Sequence, residues 1–243
     1  AAKGLVVASA SDGSFVVQRG DSVDVYSPKG GKPRSLPLGN PKRQPGYRYA
    51  VSPEAQHLAF VGESGWIELW DVETGKQRWR GNPQTQLTDR LEAKLSAESE
   101  RAPMSWGAPS FIDQHRLVTH HNGGIVVWDV ASGKPTCGSE DPSITLARES
   151  FPLENDRFAV RCGSNTPGIA NVSLFVLSRS DCKVVDYLPP LGEASQAAVA
   201  NGLLAVAGGG EIRGHVLGQF TLAPGGALVG PVAVEPHGRR ILW

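Results

Sequence analysis

One ten-residue pattern occurs twice in this chain with little change. It reads IELWDVETGK over residues 67–76 and IVVWDVASGK over residues 125–134. Six of the ten positions are identical, including the Trp-Asp-Val core and the closing Gly-Lys. A segment this short cannot bury a core alone, so its recurrence indicates an architecture of repeated units.

Three looser copies extend the repeat along the chain. They are VDVYSPKGGK at 23–32, LFVLSRSDCK at 174–183 and LGQFTLAPGG at 217–226. The starts of the five copies are separated by 44, 58, 49 and 43 residues. A four-stranded repeat occupies ~40–45 residues. A second apolar run precedes each copy, and we interpret these runs as the inner strands, at 15–17, 57–61, 116–119, 157–160 and 203–206.

Each copy has the pattern of a strand followed by a hairpin turn. Apolar residues alternate with others, as expected for a strand with one buried face. A bulky residue closes the strand and is expected to pack between neighbouring units: Tyr26, Trp70, Trp128, Leu177 and Phe220. We expect Asp71 and Asp129 to form the turns that follow, in which glycine tolerates a positive φ.

The repeat resembles the WD40-like β-propellers, in particular divergent bacterial members with a WDVxTGK strand and a preceding SPDGxxLA strand. The residues that carry the resemblance are Trp70, Asp71, Gly75, Lys76, Trp128, Asp129, Gly133 and Lys134, with Val51, Ser52, Pro53 and Leu58. The Gly-His dipeptide of many such repeats is missing, so the His–Asp–Ser–Trp relay of that family is not carried over. The resemblance implies an all-β fold, a β-propeller of four-stranded antiparallel blades.

We expect one propeller domain over residues 1–243. The approximate repeats are 1–38, 45–81, 104–140, 146–190 and 195–230, with a partial sixth at 231–243. An open ring leaves unpaired strand edges, so a missing segment is expected to complete the ring, with oligomerisation through the open blade edge as the alternative. Residues 82–103 are predicted to form a surface insertion, with a short helix capped by Thr88.

The charge balance argues against a dedicated nucleic-acid binder. Lys plus Arg and Asp plus Glu number 24 each, which gives a formal net charge of zero. Nucleic-acid binders usually carry a basic surplus or stripe, and the group Lys42, Arg43 and Arg48 is interrupted by a turn. No apolar run approaches the ~20 residues of a membrane span. The compartment stays open between the cytoplasm and the periplasm or exterior.

The three cysteines are too few for a disulfide scaffold and contain no CxxC pair. Cys162 and Cys182 fall in neighbouring strand segments, so a disulfide between them and free buried thiols are both open interpretations. His120 and His121 are adjacent, and neighbouring residues on a strand point to opposite faces. We therefore predict no metal site, no cofactor and no catalytic residues.

The favoured function is a non-catalytic protein-binding or scaffolding propeller whose partner is another protein or another domain of a longer chain. Loops on a rigid scaffold usually carry recognition, and the loop positions predicted to bind are Trp66, His121, Arg161 and Arg213. The alternative is a propeller enzyme (a hydrolase, a lyase or a quinoprotein-like oxidoreductase) with its site at the central channel. The apolar character of the inner strands identified above argues against that alternative.

Overall fold

All regular structure among the residues that the computed structural model describes is β-strand. The structure describes residues 5–10, 12–19, 22–37, 48–62, 66–82, 107–121, 124–139, 141, 144, 147–153, 155–163, 173–188, 196–200, 203–208, 211–216, 218–222, 233–234 and 241–242. Side chains are described as far as residue 187, except those of residues 5 and 37. Apart from Asn82, the predicted insertion at 82–103 lies outside these ranges, and so does its predicted helix.

The strands form consecutive antiparallel sheets along the chain. Sheet 1 contains β1 (Leu5–Ser9), β2 (Phe15–Arg19), β3 (Ser22–Tyr26) and β4 (Arg34–Pro37). Sheet 2 contains β5 (Arg48–Val51), β6 (His57–Val61), β7 (Ile67–Asp71) and β8 (Lys76–Gly81). Sheet 3 contains β9 (Ser110–Phe111), β10 (Arg116–His121), β11 (Gly124–Asp129) and β12 (Pro135–Gly138).

The same plan continues towards the C-terminus. Sheet 4 contains β13 (Ala147–Leu153), β14 (Arg157–Cys162), β15 (Ser173–Ser178) and β16 (Val184–Leu188). Sheet 5 contains β17 (Gln196–Ala200), β18 (Leu203–Gly208), β19 (Glu211–Val216) and β20 (Gly218–Leu222). Sheet 6 pairs β21 (Ala233–Val234) with β22 (Ile241–Leu242).

The first strand of each sheet lies beside the first strand of the next. Contacts of this kind join β1 to β5, β5 to β9, β9 to β13, β13 to β17 and β17 to β21. The first strands are therefore innermost. The sequence-based interpretation of the inner strands was wrong by one strand, because the runs it identified are β2, β6, β10, β14 and β18. Their apolar character consequently says nothing about a central channel.

Consecutive sheets pack face to face, and sheet 3 shows how. Successive side chains of a strand point to opposite faces, so β11 contributes side chains to two hydrophobic cores, one on each face of sheet 3. Val126 and Trp128 pack towards sheet 2, while Ile125 and Val127 pack towards sheet 4. All four side chains have no exposed surface. Burial on both faces explains why this strand is apolar at every position from Ile125 to Trp128 instead of alternating.

The Trp-Asp turn is confirmed and is the same in sheets 2 and 3. In sheet 2, Asp71 Oδ1 accepts hydrogen bonds from the Thr74 backbone N–H at 2.7 Å and from its hydroxyl at 2.9 Å. In sheet 3, Asp129 Oδ1 accepts the corresponding bonds from Ser132 at 2.7 and 2.6 Å. These bonds lower the pKa of both carboxyls, mainly through the backbone bond in Asp71 and the side-chain bond in Asp129.

Each turn then requires a residue with a left-handed backbone. Gly75 has φ 65° and Gly133 has φ 68°, a region that side-chain-bearing residues disfavour. Gly133 also lies directly against Trp79 of sheet 2, since an added Cβ would lie 2.6 Å from Trp79 Cγ. The Trp79 indole donates to the Val130 carbonyl at 2.9 Å and stacks on Trp128 with ring centroids 5.9 Å apart. The turn of sheet 3 is thus seated on the fourth strand of sheet 2.

Trp70 and Trp128, the tryptophans of the Trp-Asp repeat, donate their indole N–H groups to different acceptors. Trp128 donates to the Thr119 hydroxyl on the neighbouring strand at 2.9 Å, inside the core. Sheet 2 has Phe60 at the position corresponding to Thr119, and Trp70 instead donates to Glu68 Oε2 at 3.1 Å. A buried donor without an acceptor costs about 1–3 kcal/mol, so each sheet provides an acceptor from its own strands.

The disulfide joins Cys137 to Cys182, so the Cys162–Cys182 bond, one of the two open interpretations, is wrong. Cys162 is buried and is not part of this disulfide. It pairs with Ser173 at the start of β15, whereas Cys182 follows the end of β15 at Ser178. The length of a strand, about 17 Å for five residues at ~3.4 Å each, separates the two positions.

The disulfide between sheets 3 and 4 lies at the position equivalent to the Trp79–Gly133 contact between sheets 2 and 3. Cys137 pairs with Val127 in β12 as Trp79 pairs with Leu69 in β8. Cys182 takes the glycine position of the turn, with φ 58°, and its N–H bonds to the carbonyl four residues earlier, that of Ser178. A covalent bond therefore links sheet 4 to sheet 3. At the equivalent position between sheets 2 and 3, the two sheets are held by packing.

We expect Gly133→Ala to destabilise the protein more than Gly75→Ala. Both changes place a Cβ at a left-handed residue, which costs roughly 1–2 kcal/mol. Only Gly133→Ala also meets a neighbour, because the nearest atom to a Cβ at Gly75 is Leu36 Cδ2 at 3.7 Å. Overpacking adds about 1–3 kcal/mol. Urea denaturation measures both losses, and equal losses would contradict the seating of this turn on Trp79.

Candidate functional site

The strand order sorts the loops between two ends of the stacked sheets. We call the end where the first strands begin the upper end, and the end that carries the Asp turns the lower end. Because strands alternate in direction, second and fourth strands finish at the upper end and third strands start there. Residues far apart in sequence therefore meet at the upper end whenever they lie at these strand ends.

Three arginines come together at the upper end. Arg48 is the first residue of β5, Arg148 is the second residue of β13, and Arg161 is the last but one of β14. The pairing of β13 with β14 skips Arg148, which is the extra residue of a β-bulge between Ala147 and Glu149. Bulges of this kind redirect side chains and are common beside functional sites.

The positive charges of Arg48 and Arg161 both act on Arg148. Burial lowers the pKa of Arg148, and the positive charges of Arg48 and Arg161 lower it further. Arg48 comes from sheet 2, while Arg148 and Arg161 come from sheet 4. Arg161 also forms an ion pair with Glu149 at 3.1 Å, with 29% and 42% of the two side chains exposed. The upper end therefore carries a group of three arginines, with the Glu149 carboxylate beside Arg161.

His120 lies beneath this cluster and is fully buried. Its Nδ1 lies 2.6 Å from the Ala108 carbonyl oxygen, which can only accept, so Nδ1 carries the proton. Its Nε2 then accepts from the Ser150 hydroxyl at 2.7 Å, a bond that joins sheet 3 to sheet 4. Burial lowers the pKa of His120 to about 3; the bond to Ala108 opposes this and the charge of Arg48 adds to it. His120 is thus a neutral structural residue.

The structure places three of the four predicted binding residues in strands and one in a loop. His121 is the last residue of β10, pairs with Gly124 and is fully buried, so its predicted role in a ligand-facing turn was wrong. Arg161 lies within β14, although it is partly exposed at the upper end. Arg213 lies within β19, paired with Val206 and Thr221, and its side chain is outside the described set.

Trp66 is the predicted residue that does lie in a loop. It directly precedes β7 at the upper end and is 36% exposed. The Arg80 guanidinium sits over its ring, 4.3 Å from the centroid, and also faces Glu68 at 3.6 Å. Trp66 is therefore an exposed aromatic side chain whose ring is held in place by a cation.

Charges at the lower end are matched across sheets. Arg116 contacts Asp113 at 3.3 Å and Asp156 at 3.2 Å, and Arg179 contacts Asp113 at 3.5 Å. Arg179 also donates to the Leu153 carbonyl at 2.6 Å. These pairs link sheets 3 and 4 and place Arg116 and Arg179 opposite acidic side chains. The upper end, which carries the exposed Trp66 and the group of Arg48, Arg148 and Arg161, is the candidate binding surface.

The sequence had no local signal for Arg48 and Arg148 as a pair. They belong to different repeats, and the sequence placed Arg48 only in the basic group with Lys42 and Arg43 that a turn interrupts. Within the ranges that the structure describes, His, Cys, Asp and Glu form no group of three or more that could hold a metal ion. The same ranges contain no helix long and apolar enough to span a membrane.

The fold is that of a β-propeller, as comparison with solved structures shows. A chain in the structure titled "Crystal Structure of Mitotic Checkpoint Complex" superposes with a TM-score of 0.67 at 15% sequence identity, covering 97% of this chain and 68% of that one. A chain of Kuenenia stuttgartiensis hydrazine synthase gives 0.59 at 13% identity, covering 96% and 71%. No protein-family model matches the sequence, and no curated protein matches it.

The neutral His120 makes a prediction for the pH dependence of stability. Its pKa is about 3 in the folded protein against ~6.5 when unfolded. Because the folded value is the lower one, its stabilisation is complete above pH ~6.5 and is lost as pH falls from there towards 3. Between pH 7 and 5 the loss is about 2 kcal/mol.

Chemical denaturation of the wild type and His120→Gln at both pH values measures this loss. The variant should lack that part of the pH dependence, whatever its stability at pH 7. An equal fall in both proteins would show that His120 does not stay neutral in the folded state.

Proposed function

We propose that this chain is a non-catalytic, protein-binding propeller of the WD40-like kind that binds its partner at the upper end. The observation that carries the proposal is the set of aromatic and basic side chains there: the exposed Trp66, Arg80 and Arg48, and the half-buried Arg148 and Arg161. Tryptophan and arginine are the residues most enriched among those that dominate binding energy at protein interfaces.

The way these side chains are held supports recognition rather than mere solubility. Trp66 is positioned by the Arg80 guanidinium, and Arg80 by Glu68. An aromatic ring fixed before binding loses little conformational entropy when a partner covers it. One of the similar solved structures is a multiprotein complex by its title, which agrees with a propeller that works within an assembly.

Trp66→Ala is expected to weaken partner binding by tenfold or more, because truncation of a central interface tryptophan costs about 2 kcal/mol or more. The protein serves as bait for quantitative capture from lysate of its source, followed by a direct affinity measurement with the captured protein. Glu73→Ala is the matched control, since Glu73 is exposed in the lower-end turn of sheet 2.

The control should bind as the wild type does, and both variants should keep the wild-type melting temperature. A partner that binds Trp66→Ala as tightly as the wild type, but loses affinity for Glu73→Ala, would place the interface at the lower end and contradict the proposal.

A further inference from the structure

A cavity of about 590 Å³ lies beside the disulfide at the lower end of the sheets. Both bonded cysteines belong to its wall, together with residues of the Cys182 turn and of β16: Cys137, Asp181, Cys182, Lys183 and Val184. Sites for small molecules occupy about 300–1,000 Å³. We propose that the Cys137–Cys182 disulfide is an exchange site for a small thiol of the glutathione class, which enters this cavity and becomes bonded to Cys137.

The two sulfur atoms of the disulfide differ in their surroundings. Cys137 is partly exposed on β12, whereas only 3% of Cys182 is exposed. Cys137 Sγ also lies 4.0 Å from the Arg179 carbonyl oxygen, whose partial negative charge disfavours a thiolate at that sulfur. The rate of exchange depends on which sulfur is attacked and on access to it. Cys137 is therefore the sulfur that is attacked, and Cys182 is the one that leaves.

The exchange step requires no reactant besides the thiol. The thiol loses its proton to water and attacks as the thiolate, which is the nucleophilic form. Its sulfur forms a new S–S bond to Cys137 Sγ while the Cys137–Cys182 bond breaks. The electron pair of the broken bond leaves on Cys182 Sγ, which takes up a proton from water. One disulfide is consumed and one mixed disulfide is formed.

Lys183 places a positive charge on the wall of the cavity, next in sequence to the departing sulfur. A cation beside a cysteine favours its thiolate, and a sulfur that is more stable as a thiolate leaves faster. Lys183 Nζ lies 3.1 Å from Asp181 Oδ2, so this carboxylate offsets part of the charge. Because 80% of the Lys183 side chain is exposed, solvent screens it, and we expect its removal to change the rate only several-fold.

Backbone hydrogen bonds hold the turn that carries Cys182 independently of the disulfide. The Cys182 N–H donates to the Ser178 carbonyl at 3.1 Å, and the Ser178 N–H donates to the Lys183 carbonyl at 3.0 Å. The Arg179 N–H donates to the Asp156 carbonyl at 2.8 Å. Opening of the disulfide therefore leaves the Cys182 thiol close to Cys137. Groups held close react at a high effective concentration, so the Cys182 thiolate restores the bond when the free thiol is diluted.

Incubation of the folded protein with reduced glutathione tests this exchange. Samples taken at early times are quenched with excess alkylating agent and mapped by mass spectrometry of peptides. Glutathione should be found on Cys137 and the alkyl group on Cys182, and dilution before quenching should restore the Cys137–Cys182 bond. The inference is overturned if no adduct forms, if the adduct is on Cys182, or if the rate does not rise with glutathione concentration and equals the rate of global unfolding.

Two charge variants test the assigned role of Lys183. Lys183→Gln should lower the initial rate several-fold. Lys134→Gln is its matched control, because the exposed Lys134 ends the corresponding turn of sheet 3, and it should react as the wild type does. Asp181→Asn should raise the rate several-fold, since it removes the offsetting charge but keeps an oxygen for the Lys183 N–H, now 3.2 Å from Asp181 Oδ1. Equal rates in the two lysine variants would contradict the role of Lys183.

A pair of valine variants tests entry through the cavity. Val184→Trp should fill the cavity and lower the initial rate by about tenfold, because exchange depends on access to the sulfur. Val185→Trp is the matched control, since Val185 is the next residue, is 53% exposed and is outside the described wall of the cavity. Melting temperatures show whether both variants are folded. A folded Val184→Trp protein that reacts as fast as Val185→Trp would contradict the cavity as the route of the thiol.

Discussion

The described part of the structure depends on sheets that are buried from both faces, as sheets 2 and 3 are. Trp128 and Val126 reach one neighbouring sheet while Val127 and Ile125 reach the other, so sheet 3 could not keep its apolar strand out of water by itself. Burying a large apolar side chain contributes roughly 1.5–3 kcal/mol. This gain is available only when both neighbours are in place, and the sheets therefore stabilise one another in sequence order.

The same contact between sheets is made with different chemistry along the chain. In each case the left-handed residue of a turn meets the fourth strand of the preceding sheet. Gly133 accommodates the Trp79 ring, whereas Cys182 bonds to Cys137. Cys182 keeps the left-handed backbone at φ 58° although it carries a side chain, at a conformational cost of roughly 1–2 kcal/mol. A disulfide of this span, 45 residues, contributes about 3–4 kcal/mol and outweighs that cost.

Local patterns in the sequence predicted the features that are local in the fold. The Trp-Asp repeat predicted the β-propeller class and the turns at Asp71 and Asp129, because each turn is built from residues within four positions of one another. Features that join different repeats were not predictable in this way. A bond between Cys162 and Cys182 was one of two open interpretations, because they fall in neighbouring strand segments, but the antiparallel course of β14 and β15 puts them at opposite ends. The placement of Arg48, Arg148 and Arg161 at one end likewise depends on a bulge and on strand ends from two sheets, which no single repeat encodes.

The most direct test of face-to-face packing is to map the disulfide by mass spectrometry of peptides from the unreduced protein, after incubation with oxidised glutathione and alkylation of free thiols. The account predicts a linked pair containing Cys137 and Cys182, with Cys162 in no disulfide and alkylated once the chain is denatured. This bond requires sheet 4 to lie against sheet 3 with the Cys182 turn on β12. A linked pair that contains Cys162 would contradict the packing of consecutive sheets on which the binding surface depends.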